Sequence, residues 1–178
     1  MKIEVEIRSF ISQEKYQELL EFFNQNGNLV KEDDQETYYF DSDQDLRIQR
    51  SRLGGKIWLK KGKLHDEARE EIEVKFPRDQ FEKAEELFLA LGFKVEIKWF
   101  RHRFQFEWEG IKVCLDYTQN YGYIIELEKL SDEKGKEKEY NLLTQKLGSL
   151  GVDLTPKEEF ERRFLEYKKN CNFEKEEF

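Results

Sequence analysis

The sequence is poor in the residues that staple, break or ligate in small domains, with 2 cysteines, 2 prolines, 2 histidines and 1 methionine among 178 residues. Cys114 and Cys171 lie far apart and form neither a disulfide framework nor a ligand cluster, so a reducing cytoplasm is the expected setting. No apolar run approaches the roughly 18 residues of a membrane helix, and the opening MKIEVEIRSF has no signal-peptide hydrophobic region. An excess of positive charge is missing too: 31 basic residues stand against 39 acidic ones, a net charge of -8. That balance excludes a broad nonspecific nucleic-acid surface while leaving room for a local cationic site.

Charge itself is abundant, at 39% of residues, and the hydrophobic share is only 38%. Disorder would follow from those two figures alone, but 15% aromatic residues argue for a packed core. The length suits one domain, expected over 1–170 with a flexible tail at 171–178.

Much of the chain alternates apolar and charged residues with the period of two that a strand with unlike faces requires. Ile3, Val5 and Ile7 alternate with Glu4, Glu6 and Arg8. Further candidates run through 36–40, 46–48, 57–60, 69–76, 99–108, 111–116 and 123–128, with Gly54-Gly55 and Gly110 marking turns. About eight strands result, enough to close a small barrel. Helices punctuate them. Ser12 can cap one that ends at Gly27, Pro77 opens a second that stops at Gly92, and a third covers about 133–150. A fourth follows Thr155 and Glu158, which fit a capping box. The expected class is α+β, dominated by antiparallel hairpins.

Alternation of this kind usually means a solvated outer face, but here the polar positions hold few Ser or Thr and many Glu, Arg and Lys, with the signs in blocks. Glu4 with Glu6, Arg101 with Arg103, and Glu126 with Glu128 each place like charges at i and i+2, on the same side of a strand, where they repel. A divalent cation between carboxylates, or a polyanion between guanidinium groups, turns that repulsion into binding. Oxygen ligands without His or Cys select hard cations such as Mg²⁺ or Mn²⁺. Arg and Lys facing one another suit phosphate. Together the faces describe a site for a metal-complexed polyphosphate. A membrane barrel, which also has a polar interior, is rejected by the amphipathic helices between the strands.

These residues resemble the CYTH domain proteins, or triphosphate tunnel metalloenzymes. Glu4-Val5-Glu6-Ile7-Arg8 is similar to the ExExK signature with Arg for Lys, and Tyr39-Phe40-Asp41 to the second-strand motif. Leu46-Arg47-Ile48 resembles the start of the LRIR strand, Lys60-Lys61-Gly62 the basic strand ending in Gly, and Arg69 to Glu73 the RxExE segment. Arg101-His102-Arg103, Asp116 and Gly122 to Glu128 follow in the order of the later basic pair, the aspartate and the GxxxExE ending.

The resemblance implies an eight-stranded antiparallel β tunnel (barrel) with a charged interior and helices packed outside, and an enzyme that acts on triphosphates: a Mg²⁺- or Mn²⁺-dependent hydrolase of tripolyphosphate, thiamine triphosphate or nucleoside triphosphates, or alternatively a class IV adenylyl cyclase. A noncatalytic polyphosphate-binding module is the third reading. Catalysis would fall to Glu4, Glu6 and Asp116, metal ligation to Glu4, Glu6, Asp116, Glu126 and Glu128, and triphosphate binding to Arg8, Arg47, Lys60, Arg69, Arg101 and Arg103. Asp116 would be either a ligand or a partner of the attacking group. The expected partner is a small triphosphate substrate, with no membrane and no nucleic acid beyond a triphosphate end, and the chain would be a monomer or homodimer.

Six positions depart from the pattern or stand outside it. Arg8 keeps the charge of the family's Lys but cannot serve as a base. The second Arg of LRIR is Gln49, leaving open whether Arg50 or Arg52 replaces it. Trp58 shares parity with Lys60 and either lines the tunnel or packs. Cys114 faces inward without a basic neighbour in sequence, and His65 and His102 read as a loop and a packing residue.

Overall fold

A computed structural model describes residues 3–60 and 71–170, without the side chains of Ile3 and Glu71. Its strands are β1 (Ile3–Ile11), β2 (Asn28–Phe40), β3 (Asp45–Ser51), β4 (Gly54–Lys60), β5 (Glu71–Phe76), β6 (Val95–Trp108), β7 (Ile111–Thr118) and β8 (Gly122–Ser131). The helices are α1 (Gln13–Asn26), α2 (Phe81–Ala90), α3 (Lys136–Ser149) and α4 (Lys157–Asn170). The expected α+β class with eight strands is present, in one sheet of order β1-β8-β7-β6-β2-β3-β4-β5. Antiparallel ladders join β1 to β8, β8 to β7, and β2 through β3 and β4 to β5. No helix among the described residues is long and apolar enough to cross a membrane.

Contacts group the chain into two compact units, Met1–Glu32 with His102–Leu165 and Asp33–Arg101 with Glu166–Phe178. In the first, the apolar face of the strands packs on α1 and α3. Val5, Ile7, Phe106, Val113, Leu115, Ile125 and Leu127 meet Leu19, Phe23, Leu143 and Leu147. Burial of each such side chain contributes about 1.5–3 kcal/mol. In the second unit, Tyr38, Phe40, Leu46 and Ile48 pack with Phe81 of α2, joined by Ile57, Leu59 and Phe88.

The expected punctuation holds at α1, where the Ser12 hydroxyl accepts from the Lys15 N–H at 3.1 Å and the Gly27 N–H donates to the Phe23 carbonyl. Gly27 is not left-handed, however: its φ is -115°. Glycine is needed there because a Cβ would meet the Phe23 carbonyl oxygen at 3.0 Å. Gly55 plays a similar part on β4, where a Cβ would lie 2.2 Å from the Phe76 ring on β5.

Three local expectations change. β2 begins at Asn28 rather than near 36, and β6 at Val95 rather than 99. The segment NLVKEDDQ is too polar to show a strand's alternation, and its first residues are exposed. Pro77 precedes a single 3-10 turn, Arg78–Gln80, before α2 proper. Thr155 does not cap α4: its Oγ1 accepts from the Phe10 N–H at 3.0 Å, while its own N–H donates to Ser9 Oγ at 2.9 Å, pinning this segment to β1. The expected tail 171–178 lies outside the described residues.

Truncating the fully buried Leu143 to Ala should cost about 2–5 kcal/mol of unfolding free energy, read from denaturant titration, because the site between α3 and the strands cannot collapse. The same change at exposed Leu165 should stay within about 0.5 kcal/mol.

Candidate active site

In the first unit, packing Val5 and Ile7 into the core turns Glu4, Glu6 and Arg8 to the opposite side of β1. Pairing sets Glu6 across from Glu128 and Arg8 across from Glu126 on β8, and β7 then sets Lys112 beside Glu128 and Cys114 beside Glu126. The strand ladders thus bring the sequence-predicted Glu4, Glu6, Arg8, Asp116, Glu126 and Glu128 onto one charged face, with Arg103 of β6 ion-paired to Asp116 and Glu126.

Asp116 is buried and accepts from Arg103 through both oxygens, at 2.7 Å from Nε and 2.6 Å from Nη2. The same Nη2 reaches Glu126 at 3.4 Å. Burial alone would favour losing the Arg103 charge, but Asp116 and Glu126 outweigh it and hold the guanidinium firmly protonated. Lys112 forms an ion pair with Glu128. Arg8 lies over the Phe160 ring of α4, 4.5 Å from its centroid, and Phe160 stacks on Phe10 at 4.4 Å.

The acidic side chains repel one another. The negative charge of Glu126, followed by burial, pushes the Glu6 carboxyl up to about 7, although Glu6 keeps an accessible surface. Glu128 is likewise pushed up to about 7, by burial first and then by a hydrogen bond with Glu4. Among the described residues no three acidic, His or Cys groups already converge as a metal cage. The donors are nevertheless all oxygen and hold surplus negative charge, which suits a hard divalent cation. Glu4, Glu6, Glu126 and Glu128 are the residues that could hold it. Cys114 is buried on the same face, and burial pushes its thiol up to about 12, so it is not a nucleophile.

The charged face of the second unit has a different character. Arg47 is gripped by Asp45, at 2.5 Å through both Nε and Nη2, and lies over the rings of Tyr39, at 4.2 Å, and Trp58, at 5.5 Å. Gln49, at the place of the second LRIR arginine, donates to Thr37 at 2.8 Å. Gln35 accepts from Arg101 at 2.9 and 2.5 Å, and Lys56 donates to Glu73 at 3.1 Å. Lys60 is half-buried at the end of β4, facing Glu71 in register. Arg69 and His65 lie outside the described residues.

Neither neighbouring arginine replaces the missing one. Arg50 sits on the opposite face, donating to Glu36 at 2.9 Å and paired with Glu82 of α2, and Arg52 pairs with Asp34. His102 stacks against Phe104 and approaches Glu32 at 3.4 Å, as a packing residue. Sequence reasoning missed Asp45 and Gln35, each of which shares strand parity with the aromatic and basic residues it serves. That parity was the available signal.

With this geometry, a family comparison is decisive: the CYTH domain model matches residues 2–168. The chain belongs to the CYTH family. Among solved structures it is similar to a conserved hypothetical protein of Pyrococcus furiosus, with TM-score 0.71, 26% identity, and coverage of 86% of this chain and 96% of that one. A Pyrococcus horikoshii protein matches with TM-score 0.70 and 26% identity over 92% and 98% of the two chains. A Hippeastrum protein named as an adenylyl cyclase, whose dominant activity is that of a triphosphatase, shares the fold at TM-score 0.67 and 19% identity over 93% and 96%. No curated protein sequence matches significantly.

The raised carboxyls make a pH prediction with a definite sign. Glu6 and Glu128 bind their protons more tightly when folded, so their contribution to stability is complete below the ordinary value of 4.5 and is lost as pH rises through about 7. Without divalent metal, Glu6→Gln should match the wild-type Tm at pH 4 and exceed it at pH 8 in differential scanning fluorimetry. Adding Mn²⁺ at pH 8 should raise the wild-type Tm more than that of the variant. A variant less stable than wild type at pH 8 would contradict the repulsion.

Proposed function

We propose that this CYTH protein is a metal-dependent enzyme that hydrolyses the phosphoanhydride bonds of triphosphate-containing substrates. The carrying observation is the crowding of Glu4, Glu6, Glu126 and Glu128, with two of them pushed up to about 7 despite the neighbouring cations Arg103 and Lys112. A protein that keeps like charges on one strand face at the cost of its own stability has a use for them. The family match over nearly the whole chain supports the reading and supports a single domain over 1–170.

Glu4, Glu6, Glu126 and Glu128 would hold Mg²⁺ or Mn²⁺, which neutralises phosphate oxygens and stabilises charge developing on the leaving group. Arg8 and Arg103, beside the carboxylates, would supply positive charge for the remaining phosphate oxygens; Arg47, Lys60, Arg69 and Arg101 are assigned phosphate binding by their motifs alone. Asp116, both of whose oxygens accept from Arg103, positions that guanidinium. Gln35 and Asp45 orient Arg101 and Arg47 in the same manner. Cyclisation of ATP to cyclic AMP and pyrophosphate is the second reading, favoured by the name of the Hippeastrum neighbour, whose dominant triphosphatase activity supports hydrolysis first. A small triphosphate in a cytoplasmic setting is the proposed substrate class.

The decisive measurement is product analysis of the purified chain with tripolyphosphate, thiamine triphosphate and ATP in Mg²⁺ and in Mn²⁺. Release of phosphate is expected; cyclic AMP with pyrophosphate from ATP would select the cyclase, and tight binding without turnover would leave a binding module. Glu126→Gln should lower kcat by about 100-fold or more without lowering Tm. Arg50→Gln, which breaks the pairs with Glu36 and Glu82 on the opposite face, should lower Tm and leave kcat/KM within about twofold.

A further inference from the structure

Trp58 is placed contrary to the usual logic of a buried aromatic. Its neighbours Ile57 and Leu59 turn into the core under α2, whereas Trp58 faces the charged side of β4 and is still only 5% exposed. Its register partners are Arg47 on β3 and Glu73 on β5. The Lys56 ammonium lies over the ring, 4.2 Å from its centroid, and the Arg47 guanidinium lies 5.5 Å away. Its Nε1–H is buried with no hydrogen-bond acceptor among the described residues.

An indole N–H only donates, and leaving such a donor buried without a partner costs about 1–3 kcal/mol. Among the described carboxylates beside it, Asp45 is engaged with Arg47, and Glu73 with Lys56. Whatever satisfies the donor must bring an acceptor atom. Two cations against the same ring repel a cationic ligand and attract an anionic one. A phosphoryl oxygen meets both requirements at once, accepting from the indole beside the Arg47 and Lys56 cations, which it would share with Asp45 and Glu73.

We propose that Trp58 is a phosphate-binding residue, its indole N–H donating to a phosphoryl oxygen of the triphosphate substrate. The proposal rests on the triphosphate reading above and adds to it a neutral donor that the basic motifs do not contain. Trp58 then takes on part of the task left by Gln49, whose side-chain amide is directed to Thr37.

The test uses the ¹⁵N-labelled full chain and imidotriphosphate, a triphosphate whose P–N–P links resist hydrolysis, with Mg²⁺. The chain has 3 tryptophans, so three indole N–H resonances are expected, and the one lost in Trp58→Phe is that of residue 58. On titration this resonance should move downfield, and Trp58→Phe should weaken binding in calorimetry by about tenfold or more. Because Phe also leaves a void, a second variant carries benzothienylalanine at position 58, which keeps the bicyclic shape and lacks the N–H. It should show the same loss of affinity while being at least as stable as wild type without ligand. Imidotriphosphate that binds while the resonance stays still, or a benzothienylalanine variant that binds as wild type does, overturns the role of Trp58 and leaves the triphosphate reading standing. Imidotriphosphate that does not bind the wild type overturns both.

Discussion

Four carboxylates on two adjacent strands, Glu4 and Glu6 on β1 and Glu126 and Glu128 on β8, must share one face because the other face of the same strands is needed for the core. Alternation leaves no third option. Once Val5, Ile7, Ile125 and Leu127 are buried against α1 and α3, the acidic side chains are committed to one another's company. The first unit is arranged around that constraint. Arg103 is held between Asp116 and Glu126, Lys112 pairs with Glu128, and Glu6 retains a proton near neutrality. The apolar packing offsets the electrostatic cost, so the repulsion persists in the folded chain.

The charged face of the second unit solves a different problem. Cations there are stacked and tethered more than they are crowded: Arg47 between aromatic rings and Asp45, Arg101 against the neutral Gln35, Lys56 between Trp58 and Glu73. A guanidinium fixed along its edge and on its faces loses little entropy when an anion arrives. The two faces therefore differ in chemistry, the first gathering negative charge and the second holding oriented positive charge and a buried donor.

Much of this was legible in the chain. Period-two alternation located β1, β7 and β8 and correctly divided Glu4, Glu6, Arg8, Glu126 and Glu128 from their apolar neighbours. It failed at the start of β2, where a nearly all-polar stretch pairs as strand only because β6 lies beside it in the sheet. It also misread Thr155, whose spacing to Glu158 fits a helix cap but whose hydroxyl is taken by the Phe10 N–H, 145 positions away. Local patterns report local competition for hydrogen bonds, and a distant donor is invisible to them.

What the amino-acid order determined by itself was which side chains share a face, since that depends on parity along a single strand. It also set the sign blocks that give each face its charge. Only the tertiary structure decided which charges meet across strands. Pairing of β1 with β8 brings Glu126 near Glu6 and Glu4 near Glu128, which together with burial raises both carboxyls; folding also turns Arg50 to Glu36 and Glu82 on the opposite face and closes Trp58 in between Arg47 and Lys56 with no acceptor among the described residues. Pairwise energies fall steeply with distance, and distances between strands exist only once the ladder has formed.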